Sequence, residues 1–226
     1  MDKAILLKIN QEWTHPALDR VMVAFSSLPL WTPLFVLLVG LLVWKGNWRA
    51  RLFLIVLGLT IAVTDGVVAR TLKYTVNRPR PHQTEFGLVT RSLNREGIPQ
   101  VAIFKPIRIR DSKPANPDKG PIKGRSFPSA HTMNTFAAAT ATFLCFGRMW
   151  WILYIPASLV AYSRIYTCSH WPSDIPPSIV MGVFLGWLVP TILNRAWKTY
   201  ATRFHCLCPD ILRPASPPQE IEHRPD

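Results

Sequence analysis

Acidic side chains are scarce in this sequence. Against 26 Lys and Arg stand only 13 Asp and Glu, a formal net charge of +13, so an anionic partner is expected. Charged residues of both signs make up only 17% of the chain while 49% is hydrophobic, and the apolar residues run in long blocks rather than at amphipathic spacing. That pattern excludes an ordinary soluble domain and belongs to a membrane protein. The four cysteines, Cys145, Cys168, Cys206 and Cys208, show no C-x-x-C spacing and no clustering with histidine, which argues against a zinc site or a redox pair. Cys206 and Cys208, one residue apart, are poorly placed for a disulfide. No helix-turn-helix, zinc or RNP-like pattern accompanies the basic charge. Nucleic acid is therefore set aside, and lipid phosphate is the nearer anion because much of the charge lies beside apolar runs. The apolar run at 4–7 is too short for a signal-peptide core, so the first spans are expected to direct insertion.

What is present divides into three parts. Residues 1–29 mix Ile5, Leu6, Ile9, Trp13, Leu18, Val21, Met22 and Phe25 with Lys3, Lys8, Asp19 and Arg20, the pattern of an amphipathic interfacial helix pair. Residues 30–193 hold five apolar blocks, at 30–44, 52–69, 133–146, 150–162 and 175–193, each read as a transmembrane helix. Together they predict an all-α integral membrane bundle. Residues 194–226 form a basic and then proline-rich cytoplasmic tail, whose end from 209 is read as disordered.

Short connections at 45–51, Gly147-Arg148 and 194–203 are basic, so the positive-inside rule puts them in the cytoplasm. The opposite ends of four spans then share the extracytoplasmic side. There too lies a polar stretch, 82–126, rich in proline, glycine and basic residues and too long for a turn. It is read either as a headgroup-contacting lid or as a solvated loop, with a short strand at 107–110.

Three segments at those span ends carry the chemistry. After the second span comes Lys73-Tyr74-Thr75-Val76-Asn77-Arg78-Pro79-Arg80-Pro81, whose prolines halt the helix and let Lys73 and Arg80 converge on one anion. Taken alone, it fits basic residues snorkelling at a membrane boundary better than an anion site. Phe127-Pro128-Ser129-Ala130-His131 opens the third span, where free backbone N–H groups make a helix start an anion site for Ser129 and the Ala130 amide. A lone histidine at a helix start is more often a cap than a catalyst. Ser163-Arg164 and His170-Trp171-Pro172-Ser173-Asp174 join the fourth and fifth spans, and a carboxylate this close can bind the His170 Nδ1–H and free Nε2 as a nucleophile. A structural His–Asp contact is the bland alternative.

In order and spacing these segments resemble the K-x6-R-P, P-S-G-H and S-R-x5-H-x3-D signatures of the type 2 phosphatidic acid phosphatase (PAP2) superfamily, which includes bacterial lipid phosphatases, glucose-6-phosphatase and vanadium haloperoxidases. Ala130, where the family most often has glycine, is the one departure. The resemblance covers roughly 30–193, and the amphipathic start with five spans looks like small bacterial undecaprenyl-diphosphatases. It implies a PAP2/vanadium-haloperoxidase-like core with His170 as nucleophile, His131 as general acid and base, and Asp174 orienting His170. Lys73, Arg80, Ser129, Ala130 and Arg164 would hold the phosphate, with Pro81, Pro128 and Ser163 in support. It further implies no metal or other cofactor, a phosphorylated membrane lipid as substrate, and an active site facing the periplasm or cell exterior from a bacterial inner membrane.

Undecaprenyl diphosphate, phosphatidylglycerol phosphate, phosphatidic acid and lipid A phosphates all present the same reacting group. A catalytically silent lipid-binding scaffold of the same fold and a vanadate-dependent haloperoxidase are the alternatives; intact His131, His170 and Asp174 argue against the first, membrane spans against the second. Asp65, inside the second span, is expected to face the bundle in an ion pair with a basic residue.

Overall fold

The structure, a computed structural model, describes residues 1–93, 106–114 and 125–203. Every apolar block of the sequence is a helix. After α1 (Asp2–Leu7), a π-helical turn (Lys8–Glu12) and α2 (Pro16–Ser26) come α3 (Leu28–Lys45), α4 (Trp48–Ile61), a π-helical stretch (Ala62–Ala69) and α5 (Arg70–Val76). A short α6 (Pro81–Thr84) leads into the strands β1 (Val89–Ser92) and β2 (Arg108–Asp111). Next are α7 (Ala130–Phe146), a 3-10 segment (Arg148–Leu153), α8 (Tyr154–Tyr166), a 3-10 turn (Pro172–Asp174) and α9 (Ile175–Arg203).

Local chemistry explains the boundaries. The Asn47 side chain accepts the Ala50 N–H at 3.0 Å and caps α4, while His15 accepts the Ala17 N–H at 3.2 Å ahead of Pro16, whose fixed φ suits a first helical turn. Among the described residues three helical stretches, Leu28–Lys45, Trp48–Thr84 and Pro172–Tyr200, are long and apolar enough to cross a membrane. The helices at 130–146 and 154–166 are shorter than the roughly 20 residues of a simple span, so three of the five expected spans reach that length and composition. No residue of α3 is buried, and Leu34, Phe35, Val36, Leu37 and Leu38 all lie exposed; such a face is stable only against lipid tails. The hydroxyls of Thr60 and Thr64 donate back to Val56 and Thr60 carbonyls at 2.7 Å, which satisfies them within their own helix, as an apolar setting demands.

The centre of the bundle is the α7–α9 pair. Gly182 and Gly186 of α9 bring it onto Met133, Ala137 and Thr140 of α7: a Cβ at Gly186 would stand 2.5 Å from the Ala137 carbonyl oxygen and 2.8 Å from its Cα. Without a hydrophobic driving force between helices in lipid, such close backbone approach is what holds a pair together.

The N-terminal helix pair exists, but its apolar side packs on the bundle. Leu6, Ile9 and Met22 are buried with Ile165, Tyr166, Cys168 and Trp171. Asn10 acts as a strand substitute, accepting the Val89 N–H at 2.8 Å and donating to the Val89 and Tyr166 carbonyls at 2.8 and 3.0 Å. The expected strand near 107–110 is found at Arg108–Asp111, antiparallel to β1 with Arg91 opposite Ile109; β1 itself was not anticipated. Beneath the hairpin Arg91 pairs with Asp19 at 2.8 Å, and Asp19 accepts the Tyr166 hydroxyl at 2.5 Å. Asp65 departs from expectation: it is exposed, lies in the π-helical stretch where the wider turn changes which side of the helix a residue occupies, and makes no ion pair within 4.0 Å among the described residues. Cys206, Cys208 and the tail from 209 lie outside the described residues.

Replacing Gly186 by leucine should overpack this contact and cost about 1–3 kcal/mol, whereas alanine at Gly58, whose Cβ direction is open, should leave stability unchanged or slightly raised. Thermal unfolding of the two variants in detergent checks the contrast.

Candidate active site

The site is assembled where α5 ends, α7 begins and α8 gives way to α9. Asn77, in left-handed backbone at φ 45°, terminates α5, and the chain then runs through Arg78-Pro79-Arg80 into α6. At the other side Cys168 takes φ 60° and folds the end of α8 back, so that the N–H groups of Ser169 and His170 both donate to the Arg164 carbonyl, at 3.0 and 3.1 Å. A left-handed residue closing a helix is commonly glycine. Here a fully buried cysteine does it, with its carbonyl accepting His82 Nδ1–H at 3.0 Å.

These loops are laced together by hydrogen bonds. Trp171 Nε1–H donates to the Pro79 carbonyl at 2.9 Å, the Ser126 N–H donates to the Arg78 carbonyl at 2.8 Å, and the Ser129 N–H donates to Ser178 Oγ at 2.9 Å. The Asp174 carboxylate is wholly buried and is the hub. Arg78 Nη1–H reaches Oδ1 at 2.5 Å, while Ser126 Oγ–H and the Trp171 N–H reach Oδ2 at 2.5 and 3.0 Å. Charge-assisted bonds of this kind each contribute about 1.5–3 kcal/mol.

His170 is 2% exposed. Its Nδ1–H does not bind Asp174 directly, as the spacing implied: Asp174 Oδ2 stands 3.8 Å away, and the Ser126 carbonyl takes the proton at 2.5 Å. The carboxylate oxygens are already occupied by Arg78, Ser126 and Trp171, so a backbone carbonyl replaces them. The chemical consequence is the expected one, since Nδ1 carries the hydrogen and Nε2 is left as the basic nitrogen. Burial holds this imidazole well below the usual 6.5, at about 4; Asp174 opposes the shift, and Arg164 and Arg80 add to it.

The cations gather around this imidazole. Arg164, 8% exposed, is braced through Nη1–H by the carbonyl of Ser26 at 3.1 Å and by the Ser26 hydroxyl, and its buried Nε–H has no acceptor among the described residues. Lys73, Arg80, Arg164 and His170 all act electrostatically on His131, which sits in the first turn of α7. Among the described residues no carboxylate lies within 4.0 Å of Lys73, Arg80, Arg125 or Arg164. Ala130 is the first residue of α7, with Ser129 before it; Ser129 is fully buried and its Oγ accepts the Thr132 hydroxyl at 3.0 Å. Pro81 and Pro128 are buried beside the cluster segments, and Ser163 donates to the Val160 carbonyl at 2.7 Å while its own carbonyl accepts Thr167, a contact within α8 only.

Four contributors escaped the sequence reading. Ser26 braces Arg164, and Ser126 holds both His170 and Asp174. Arg78 bridges Asp174 to Asp2, whose carboxylate lies 2.7 Å from Arg78 Nη2 and accepts the Ser173 N–H at 2.9 Å. The doubled Arg-Pro of Arg78-Pro79-Arg80-Pro81 was the available signal for Arg78; Asp2 and Ser26 carry none, because their partners lie far along the chain.

The chain is 26% identical over 198 residues to a lipid A 4'-phosphatase of Bacteroides thetaiotaomicron, covering 86% of this chain and 78% of that protein. Identity to an undecaprenyl-diphosphatase of Sulfolobus acidocaldarius is also 26%, over 184 residues, 81% of this chain and 73% of the other. The crystal structure of Aquifex aeolicus LpxE matches with a TM-score of 0.57 at 25% identity, covering 83% of this chain and 93% of that one. A PAP2 type phosphatidylglycerolphosphate phosphatase from Bacillus subtilis shares the fold with a TM-score of 0.53 at 23% identity, over 90% and 87% of the two chains. The family model of the PAP2 superfamily matches residues 50–198, from the first turn of α4 into the last turns of α9 and across all three signature segments, and the chain belongs to that superfamily.

Proposed function

We propose that this integral membrane protein is a lipid phosphatase that removes phosphate from a phosphomonoester or diphosphate of a membrane lipid through a phosphohistidine. One observation carries the reading. Buried Arg164 has an Nε–H with no acceptor among the described residues, and together with Lys73 and Arg80 it bears on His131, with no described carboxylate within 4.0 Å of these three cations. Uncompensated cations in a low-dielectric site are costly, and a bound phosphate is the anion that relieves them.

In this reading the phosphate oxygens lie between Lys73, Arg80 and Arg164, with the first amides of α7 at Ala130 completing the cradle near Ser129. His170 Nε2 attacks phosphorus, the bond to the lipid oxygen breaks, and His131 delivers a proton to that oxygen. His131 then takes a proton from water, the water oxygen bonds to phosphorus, and the P–Nε2 bond breaks to release phosphate. Asp174 acts through Ser126, whose carbonyl fixes the His170 tautomer. The cationic side chains supply the charge neutralisation, so no metal is required.

The relatives' names support lipid substrates, a lipid A phosphate and undecaprenyl diphosphate among them. The acyl or prenyl tail would lie against the exposed apolar helix faces while the phosphate enters at the rim. The basic connections support a periplasmic or exterior site in a bacterial inner membrane.

Detergent-purified protein should release phosphate from at least one of undecaprenyl diphosphate, phosphatidylglycerol phosphate, phosphatidic acid and lipid A, with a chelator present and with vanadate inhibiting. His170→Ala should abolish the release; activity surviving that change, or lost to the chelator alone, refutes the mechanism.

Arg78→Gln removes one charge-assisted bond to Asp174 and should lower kcat about 10- to 100-fold while KM, set by cations it does not touch, changes little. Asp2→Asn should act in the same direction and less than additively with Arg78→Gln, since both substitutions weaken one contact. Steady-state kinetics of the single and double variants measure both.

Because the unfolded chain protonates a histidine near 6.5 and the fold protonates His170 only near 4, the unfolded state binds more protons between those values. Stability should therefore fall as pH drops from 6.5 to 4, and His170→Gln should flatten that slope. Unfolding followed against pH for the two proteins checks it, and imidazole NMR should find the His170 midpoint near 4.

A further inference from the structure

Arg125 stands apart from the other cations. It is exposed, it immediately precedes Ser126, and the Ser126 N–H bond to the Arg78 carbonyl at 2.8 Å ties this backbone to the segment that carries Lys73 and Arg80. Its guanidinium lies over the ring of Tyr74, 5.1 Å from the centroid. Tyr74 follows Lys73 and is itself 61% exposed. The pair thus forms a shelf at the outer edge of the cluster. The Arg125 charge bears on Lys73 and on Arg80, while the charges bearing most on His131 and His170 are those of the deeper residues.

A single phosphoryl group has three non-bridging oxygens, and Lys73 with the guanidinium forks of Arg80 and Arg164 offers more donors than those oxygens need. A fourth cation on the rim has no oxygen of that group left to serve. Stacking on an aromatic face fixes the guanidinium plane while leaving its N–H edge free, which suits an anion arriving from outside.

We propose that Arg125, held against Tyr74, is a subsite for a second anionic group of the substrate, adjoining the phosphoryl group gripped by Lys73, Arg80 and Arg164. The assignment rests on the phosphatase reading of the deeper site. Two sources carry this chemistry: the second phosphate of a lipid diphosphate, and a phosphodiester separated by a short linker from a terminal phosphate.

Two substrate pairs distinguish the sources. Farnesyl diphosphate is compared with farnesyl monophosphate, and phosphatidylglycerol phosphate with phosphatidic acid. Arg125→Gln should lower kcat/KM for the two-anion member of one pair about tenfold more than for its single-phosphate partner. Tyr74→Leu should shift the same ratio in the same direction by less. The pair that responds identifies the source, and equal effects on both members of both pairs overturn the subsite.

A binding measurement separates this from failure of the catalytic reading. In His170→Ala protein, calorimetry should find pyrophosphate bound more tightly than orthophosphate, with Arg125→Gln closing that gap. Pyrophosphate affinity indifferent to Arg125 likewise overturns the proposal. If none of the four lipids is hydrolysed by the unmutated protein yet pyrophosphate binding still depends on Arg125, the subsite stands and the phosphatase reading falls.

Discussion

Asp174 is buried to the point of having no exposed surface, yet it carries a carboxylate. Such a group survives only when its oxygens are fully engaged, and here donors come from three separate parts of the chain: Arg78 after α5, Ser126 before α7, and the Trp171 amide before α9. The same bonds that neutralise the carboxylate therefore fix the three segments against one another. His170 is located by this arrangement at one remove, through the Ser126 carbonyl. The tautomer of the imidazole is thus a consequence of how the fold satisfies a buried charge.

Around that hub the electrostatics divide by depth. Arg78 spends its charge on two carboxylates, Asp174 and Asp2, and is a structural cation. Among the described residues Lys73, Arg80 and Arg164 have no carboxylate within 4.0 Å, and Arg164 is nonetheless almost completely buried, braced by the neutral oxygens of Ser26. Neutral acceptors hold a guanidinium in position without cancelling its charge, which leaves its field directed at an incoming anion. A carboxylate in the place of Ser26 would neutralise Arg164 and, in the proposed mechanism, weaken its hold on phosphate.

Much of this was legible in the sequence, for identifiable reasons. The helices were readable because lipid imposes long apolar runs, and the cation and histidine segments because prolines, a helix start and a short His-to-Asp spacing are local signals. The strand at Arg108–Asp111 showed through its alternation, whereas β1 did not, being held by Asn10 from a remote segment. The direct His170–Asp174 bond was the natural inference from spacing alone. It fails because competition for the carboxylate oxygens is decided by Ser126 and Arg78, 48 and 96 residues away. Three local signals on one chain led to the family; the contacts between them are long-range and lie below the reach of any window.

The N-terminal helices illustrate how far that long-range component extends. Read as an amphipathic segment, residues 1–29 belong at a membrane interface; in the fold, Leu6, Ile9 and Met22 are buried against the turn that carries His170, and Asp2 and Ser26 at the two ends of the segment each hold a site arginine. The family model begins at residue 50, so this brace lies outside the matched region. Amphipathicity is satisfied as well by a protein surface as by a bilayer, and here the deciding contribution is polar. Asp2 and Ser26 find partners that would otherwise leave an acidic hub underpaired and a buried arginine unsupported. The residues proposed to carry the chemistry lie within the family-matched core, and their geometry is set in part by a segment that the core motifs do not describe.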